Sequence, residues 1–416
     1  MQTLRIIKGR YLMVLLAMCG LVASSIGILT NTAGLYFSPI ASELGSSTAA
    51  VNLTLTISNI MFAAAGMVSA GTINGKNFKS MLILFTSICA AATAGLSRCG
   101  SLWSLYALNA VRGFSSGMIG TVLATTVLGY WFQTDTGLIN SLALGCSGII
   151  GALFNPALEA IMNASGWRTA YLVSAAAVLL LNLPAILLPV TLRPADAKMN
   201  PLRAETKLDA GSAGKEKRTG YSRSAAVVIL AGCVCSLGSF VSATPQLFKS
   251  LAVSRGLEET GVLMMTVVLI ANTGGKFLFG AMTDRLGVKL SVLIYGTVIA
   301  SGLLLLCLFD AVGTMLFSAA LIGLCYSIPT VGAVMICREL FSPDRYTRVY
   351  PKIALFVTAC NALGYPLLGA IYDRTNSYDP ALLLVLGAMV TAMAIVILVY
   401  HLADRENRQN RSPEAR

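Results

Sequence analysis

The sequence predicts an all-α membrane protein of twelve transmembrane helices, arranged as two six-helix bundles. Three observations lead there. Only 12% of the 416 residues are charged and 56% are hydrophobic, against about 25% charged residues in soluble chains. Apolar runs near the roughly 20 residues that a helix needs to cross a bilayer recur from end to end. The basic residues gather on alternate sides of those runs, as membrane topology requires.

Apolar runs between polar breaks place the spans at 11–35, 48–72, 78–97, 102–129, 136–162, 168–190, 224–248, 259–282, 288–309, 312–335, 351–372 and 380–402. The leading MQTLRIIKGR is basic and enters a long apolar run with no small-residue cleavage site, so it reads as an uncleaved first span. With the N-terminus in the cytoplasm, inside segments hold 23 of the 30 Lys and Arg. Outside loops hold five, Arg98, Arg168, Lys249, Arg255 and Arg374, and Arg112 and Lys276 remain within spans. The asymmetry predicts cytoplasmic N- and C-termini in a plasma or inner membrane. It also accounts for the net charge of +12 without a nucleic-acid partner.

Residues 191–223 are polar, with Pro, Gly and alternating charge, and read as a flexible or amphipathic cytoplasmic linker. The expected organisation is a bundle over 1–190, the linker over 191–223, a second bundle over 224–404 and a tail over 405–416. Nearly all the cysteines lie in apolar runs, where Cys is a small apolar filler. The single histidine, His401, ends the last span. Neither a metal site nor a disulfide framework is expected, and no cofactor. With no P-loop in the sequence, an ion or substrate gradient is the expected energy source.

A weak internal repeat joins the halves. Span 2 ends in GTINGKNFK (71–79) and span 8 in GAMTDRLGVK (280–289). Two related six-helix bundles are a transporter architecture. GAMTDRLGVK matches the G-x-x-x-D-R-x-G-x-K/R loop signature of the major facilitator superfamily, and the chain resembles that superfamily in span count and layout throughout. A finer likeness points to monocarboxylate transporters and oxalate/formate antiporters. WFQTDTGLINSLALGCSGIIGALFNPALEAIMNASGWR (131–168) resembles their span-5 region. YPLLGAIYDRTNSYDPAL (365–382) is similar to their span-11 exit, and ANTGGKFLFG resembles their span-8 pattern, with Lys276 where they usually carry Arg. The chain departs from both patterns: Gly75 replaces the signature Asp in the first half, and no Lys lies inside span 11, since Lys352 is at its mouth. The second departure argues against oxalate.

The resemblance implies the major facilitator fold and secondary active transport by alternating access. The implied cargo is a small organic anion, a monocarboxylate, carried by proton symport or anion exchange by a monomer. It also implies a gate at Gly280, Asp284, Arg285, Gly287 and Lys289, since a carboxylate there can cap the positive end of a neighbouring helix. The alternative is a charged turn that only fixes topology.

Three ionisable groups lie clearly within spans: Arg112, Lys276 and Glu159. Such a charge costs about 2.5–3.5 kcal/mol at the bilayer centre, so it faces a cavity or a partner. Lys276 is the expected anion ligand, with Gly274 and Gly275 opening room beside it; the alternative is that it snorkels to the interface from roughly 9 Å away. Arg112 is a second ligand, or it bonds neighbouring helix carbonyls. Glu159 is an interfacial acid or a proton-coupling carboxylate. Asn31, Thr32, Tyr36, Asn272, Tyr326, Asn361 and Tyr365 are polar groups that line a path or bond helix to helix. Two other functions compete: efflux of hydrophobic or cationic drugs, against which the deep cations argue, and a substrate sensor that does not transport.

Overall fold

The structure is a computed structural model and describes residues 9–132, 136–202, 222 and 224–411. The chain divides into two compact units, Met1–Thr206 and Lys207–Arg416. In the first, span 1 consists of α1 (Arg10–Val22) and α2 (Gly34–Leu44), with a π turn at Ala23–Ile28 between them. Spans 2 and 3 are α3 (Thr48–Thr72) and α4 (Phe78–Leu96). Span 4 is α5 (Leu102–Ile119) and α6 (Thr121–Trp131), broken at Gly120. Spans 5 and 6 form α7 (Thr136–Leu187), whose two arms meet at Gly166.

In the second unit, span 7 is α8 (Ala225–Val241), a 3₁₀ turn at Thr244–Leu247 and α9 (Phe248–Ser254). Spans 8 and 9 are α10 (Glu258–Leu286) and α11 (Val288–Leu308). Span 10 runs from α12 (Val312–Ile322) through a 3₁₀ turn at Gly323–Tyr326 and a π turn at Ile328–Gly332 into α13 (Ala333–Leu340). Spans 11 and 12 are α14 (Pro343–Thr375) and α15 (Asp379–Arg411).

Among the described residues, 11 helices are long and apolar enough to cross a membrane, and one of them, Leu142–Leu187, contains the bend at Gly166. Divided there, the set is the expected twelve spans. Gly166 has φ +79° and ψ 165°, and Gly287, between spans 8 and 9, has φ +84° and ψ 161°. Both are one-residue reversals in a backbone region that side chains disfavour, so each needs glycine. The GWR of the sequence is thus a helix reversal, with Trp167 and Arg168 opening span 6.

Spans 1, 4, 7 and 10 are the broken ones, where the sequence predicts unbroken runs. Each break sits in a stretch poor in helix formers: ASSIGI, GFSSGMIG, SATPQL and GLCYSIPTVG. In lipid, carbonyls freed by a break must be satisfied internally. Hydroxyls do this in spans 1 and 7. Ser25 Oγ donates to Leu21 O at 2.7 Å, Thr32 Oγ1 to Ile28 O at 2.6 Å and Ser242 Oγ to Gly238 O at 3.1 Å. Spans 2 and 4 pack closely. A Cβ on Gly113 would lie 2.2 Å from Ser58 O, and one on Gly117 would lie 2.3 Å from Phe62 O. Small residues four apart let these backbones touch.

The stretch expected to be a linker begins as a strap packed on the first unit. Leu192 and Pro194 are buried, and Leu202 packs against the core. Trp131 Nε1 donates to Thr191 O at 3.0 Å, Leu202 N to Trp131 O at 2.8 Å and Tyr11 Oη to Asn200 O at 2.8 Å. Lys79 Nζ donates to the carbonyls of Ala185, Ile186 and Leu188, which end span 6. At the far end of the stretch, Ser222 is buried in the second unit, where its carbonyl accepts from Arg345 and its N–H donates to Leu340 O.

Candidate substrate site

In the first unit, spans 1, 2, 4 and 6 enclose a small cavity. Its polar lining is Thr32, Tyr36, Thr54, Arg112, Tyr171 and Ser174. Its free volume is about 10 Å³, room for one water, so the cavity is closed down in this conformation. Tyr36 Oη and Ser174 Oγ are 3.0 Å apart, and the Tyr36 and Tyr171 rings stack with centroids 4.0 Å apart. Arg112 is 5% exposed. No described residue accepts a hydrogen bond from its guanidinium, and its Nε is buried without a partner. The alternative of bonds to helix carbonyls is therefore not what this structure contains.

The second unit carries Lys276 in span 8. It is half-buried, and Cys325 at the span-10 break is the polar neighbour that reaches it. No described carboxylate or carbonyl pairs with its ammonium. Its helix continues to Leu286. Lys276 is thus ten residues from the helix end, about 15 Å at 1.5 Å per residue. Gly274 faces open space, as expected, whereas a Cβ on Gly275 would lie 2.6 Å from Leu324 Cδ2, so Gly275 serves packing. One turn back on the same face, Asn272 is buried with its Oδ1 unpartnered.

The other candidates divide. Asn31 Nδ2 donates to Ser147 O at 3.1 Å, tying span 1 to span 5. Asn361 Nδ2 donates to Ser239 O at 2.9 Å, tying span 11 to span 7, and its Oδ1 accepts from Tyr365 Oη at 2.7 Å. These two amides clamp equivalent pairs of spans. Tyr326, at the span-10 break, lies beside Gln246 at the span-7 break and near Tyr365. Glu159 is half-buried and has a partner; it does not line the cavity around Arg112. In the signature loop, Gly280 has open space around it, Arg285 is exposed with a partner, Gly287 makes the reversal and Lys289 is half-buried. The side chain of Asp284 lies outside the described residues.

Several residues of the site were not singled out in the sequence. Thr54, Tyr171 and Ser174 line the cavity. The last two follow Trp167 at helical spacing in GWRTAYLVS, a signal that reads equally as core. Lys249, expected in an outside loop, is instead 5% exposed within α9, with a partner. The helix of span 7 restarts after its 3₁₀ turn and carries Lys249 inward.

At the face opposite the strap, Arg168 pairs with Glu43, and its Nη2 donates to Cys99 O at 3.3 Å. Trp167 Nε1 donates to Glu43 Oε2 at 2.6 Å. The Arg168 hydrogen bond, then that of Trp167, holds the Glu43 carboxyl below its usual range. The second unit has a matching arrangement. Arg255 lies 2.9 Å from Asp310 Oδ1 and 2.8 Å from Asp379 Oδ1, and donates to Leu306 O at 3.0 Å.

Interrupted spans at corresponding positions of two halves mark where a transporter handles its cargo. Here they coincide with a cavity and a buried cation in the first unit, and with a break carrying Cys325 and Tyr326 near the half-buried Lys276 in the second. This is the build of a secondary transporter. The chain belongs to the Major Facilitator Superfamily, whose family profile matches residues 15–274 and again 228–416. Among solved structures, a point mutant of the nucleoside transporter NupG is similar at a TM-score of 0.70 and 15% identity, over 93% of this chain and 99% of that one. A bacterial homologue of the human lysosomal transporter Spinster, inward-facing and occupied, is similar at 0.61 and 16%, over 95% and 97%. At these identities the likeness is one of fold. No curated protein matches the chain.

Proposed function

We propose that this transporter carries a small organic anion, a monocarboxylate, across the membrane by alternating access, as proton symport or anion exchange. The observation that carries the reading is the pair Arg112 and Lys276. Each is a cation inside a span of its own unit, and neither is paired with a described carboxylate or carbonyl. A cation kept unpaired at a cost of about 2.5–3.5 kcal/mol calls for a counter-charge that comes and goes. A carboxylate supplies it through charge-assisted hydrogen bonds. Lys276 is the main ligand and Arg112 a second; Asn272, with its unpartnered oxygen, offers a place to a protonated or hydroxylated group. Tyr36, Tyr326 and Tyr365 offer hydroxyls. Asn31 and Asn361 hold the helices that carry them. Asp284 and its loop form the gate, and both termini face the cytoplasm.

Purified protein in proteoliposomes, offered labelled formate, acetate, lactate and pyruvate with and without a proton gradient, tests this directly. Lys276→Gln should lower uptake at least tenfold, about 1.4 kcal/mol, and Lys276→Arg should keep part of it. Wild-type uptake and half-saturation in Lys276→Gln would remove the anion assignment.

A further inference from the structure

The loop between spans 2 and 3 corresponds to the signature loop between spans 8 and 9, and it has Gly75 where the latter has Asp284. The loop is well formed. Asn74 N donates to Asn77 Oδ1 at 2.7 Å, Asn74 Oδ1 accepts from Lys76 N at 3.1 Å, and Asn77 Nδ2 donates to Thr72 O at 2.9 Å. Directly over Gly75 lies Asp196, from the strap. A Cβ built on Gly75 would stand 2.9 Å from Asp196 Oδ2 and 3.1 Å from both Cγ and Oδ1. The carboxylate fills the space into which a side chain at position 75 would grow.

Asp196 is held there by its surroundings. Its Oδ2 accepts from Arg193 N at 3.0 Å, closing the turn Pro194–Ala197. Arg193 lies over the Tyr130 ring, 5.1 Å from its centroid, and the buried Pro194 and the bonds to Trp131 and Tyr11 fix the strap on the unit.

We propose that Asp196 is the acidic residue of the spans 2–3 loop, supplied by the entry of the linker instead of by the loop itself. The proposal rests on reading 280–289 as a gate, with the carboxylate its working group. Gly75 is then the counterpart of Asp196: the position must be bare for the carboxylate to sit on it. A second carboxylate at 75 would meet the first at contact distance, where like charges repel. The start of the linker thereby belongs to the gate machinery of the first unit.

The test compares full-length wild type with Gly75→Asp, Asp196→Gly, Asp196→Asn and the double variant Gly75→Asp/Asp196→Gly. Uptake of a labelled acid from the panel above is read in proteoliposomes, and the melting midpoint is read in detergent. Asp196→Asn keeps an oxygen to close the Pro194–Ala197 turn, so a residue that only caps its own turn leaves this variant at the wild-type rate. The proposal expects each single variant to lose at least fivefold in uptake, and the double variant to recover to within twofold of wild type. A wild-type rate in Asp196→Asn, or a double variant no faster than the slower single one, overturns it. If wild type carries none of the acids, the substrate reading has failed. The melting midpoint and trypsin cleavage after Lys198 then decide. Gly75→Asp should lower the midpoint and speed cleavage, and recovery of both in the double variant supports the proposal, while no recovery overturns it.

Discussion

Replacing Arg112 by methionine separates a ligand from a structural bond by the sign of its effect. The guanidinium is 5% exposed, with its Nε buried and unpartnered. An unsatisfied buried donor costs about 1–3 kcal/mol, a cost that a methionine at this position does not carry. A net gain of about 2 kcal/mol is expected for the empty transporter. In a unit of this size each kcal/mol moves the melting midpoint by about 2–4 °C, so Arg112→Met should melt roughly 4–8 °C higher. Uptake by the same variant should fall at least tenfold. Differential scanning fluorimetry in detergent and uptake in proteoliposomes read the two effects on one preparation. If Arg112→Met melts lower than wild type, the arginine holds the bundle together, and the reasoning from its missing partners is refuted. Full uptake by the stabilised variant would refute the ligand role alone.

Three further outcomes follow from the same structure. The Glu43 carboxyl is held below its ordinary range by Arg168 and Trp167, so its stabilising contribution is full above about pH 4.3 and fades as pH falls through the lowered folded value; the gap in melting midpoint between wild type and Glu43→Gln should be present at neutral pH and close in acid, and a pH-independent gap would contradict the assignment. Gly113→Ala brings a Cβ to 2.2 Å from Ser58 O and should cost about 1–3 kcal/mol, whereas Gly274→Ala enters open space and should stabilise by about 0.5–1 kcal/mol; equal effects by thermal unfolding would count against the packing described. Cysteines at Glu205 and Gln409 should resist membrane-impermeant thiol reagents in intact cells, and labelling of both would reverse the orientation.

The spans were legible because lipid imposes one rule on every helix: about twenty apolar residues, with charge outside. That rule gave all twelve, and it also hid the breaks, since Ser, Gly and Cys are apolar enough for a membrane yet poor at holding a helix. In ASSIGI and GLCYSIPTVG composition and conformation part ways. The two intramembrane cations were legible because charge in an apolar run is rare. What surrounds them was not. Tyr171 reaches the cavity through the crossing of spans 1 and 6, and the packed strap beyond Val190 reads in sequence as a polar linker. Asn31 and Asn361 show the opposite limit: the residue type left both a path-lining role and a helix-to-helix bond open, and each amide is bonded to a neighbouring helix.

The arginine clamp of each unit bears on how the protein is made. A chain enters the membrane from its N-terminus, hairpin by hairpin. In the first unit the acid and the carbonyl, Glu43 and Cys99, arrive before the arginine that joins them, so closure waits for the hairpin of Arg168. In the second the order is reversed: Arg255 emerges first, meets Asp310 next, and completes its set only when Asp379 brings the last span. Either way the clamp closes with the final hairpin of its unit. A chain that stops one hairpin short of either unit's end therefore leaves that unit's clamp open.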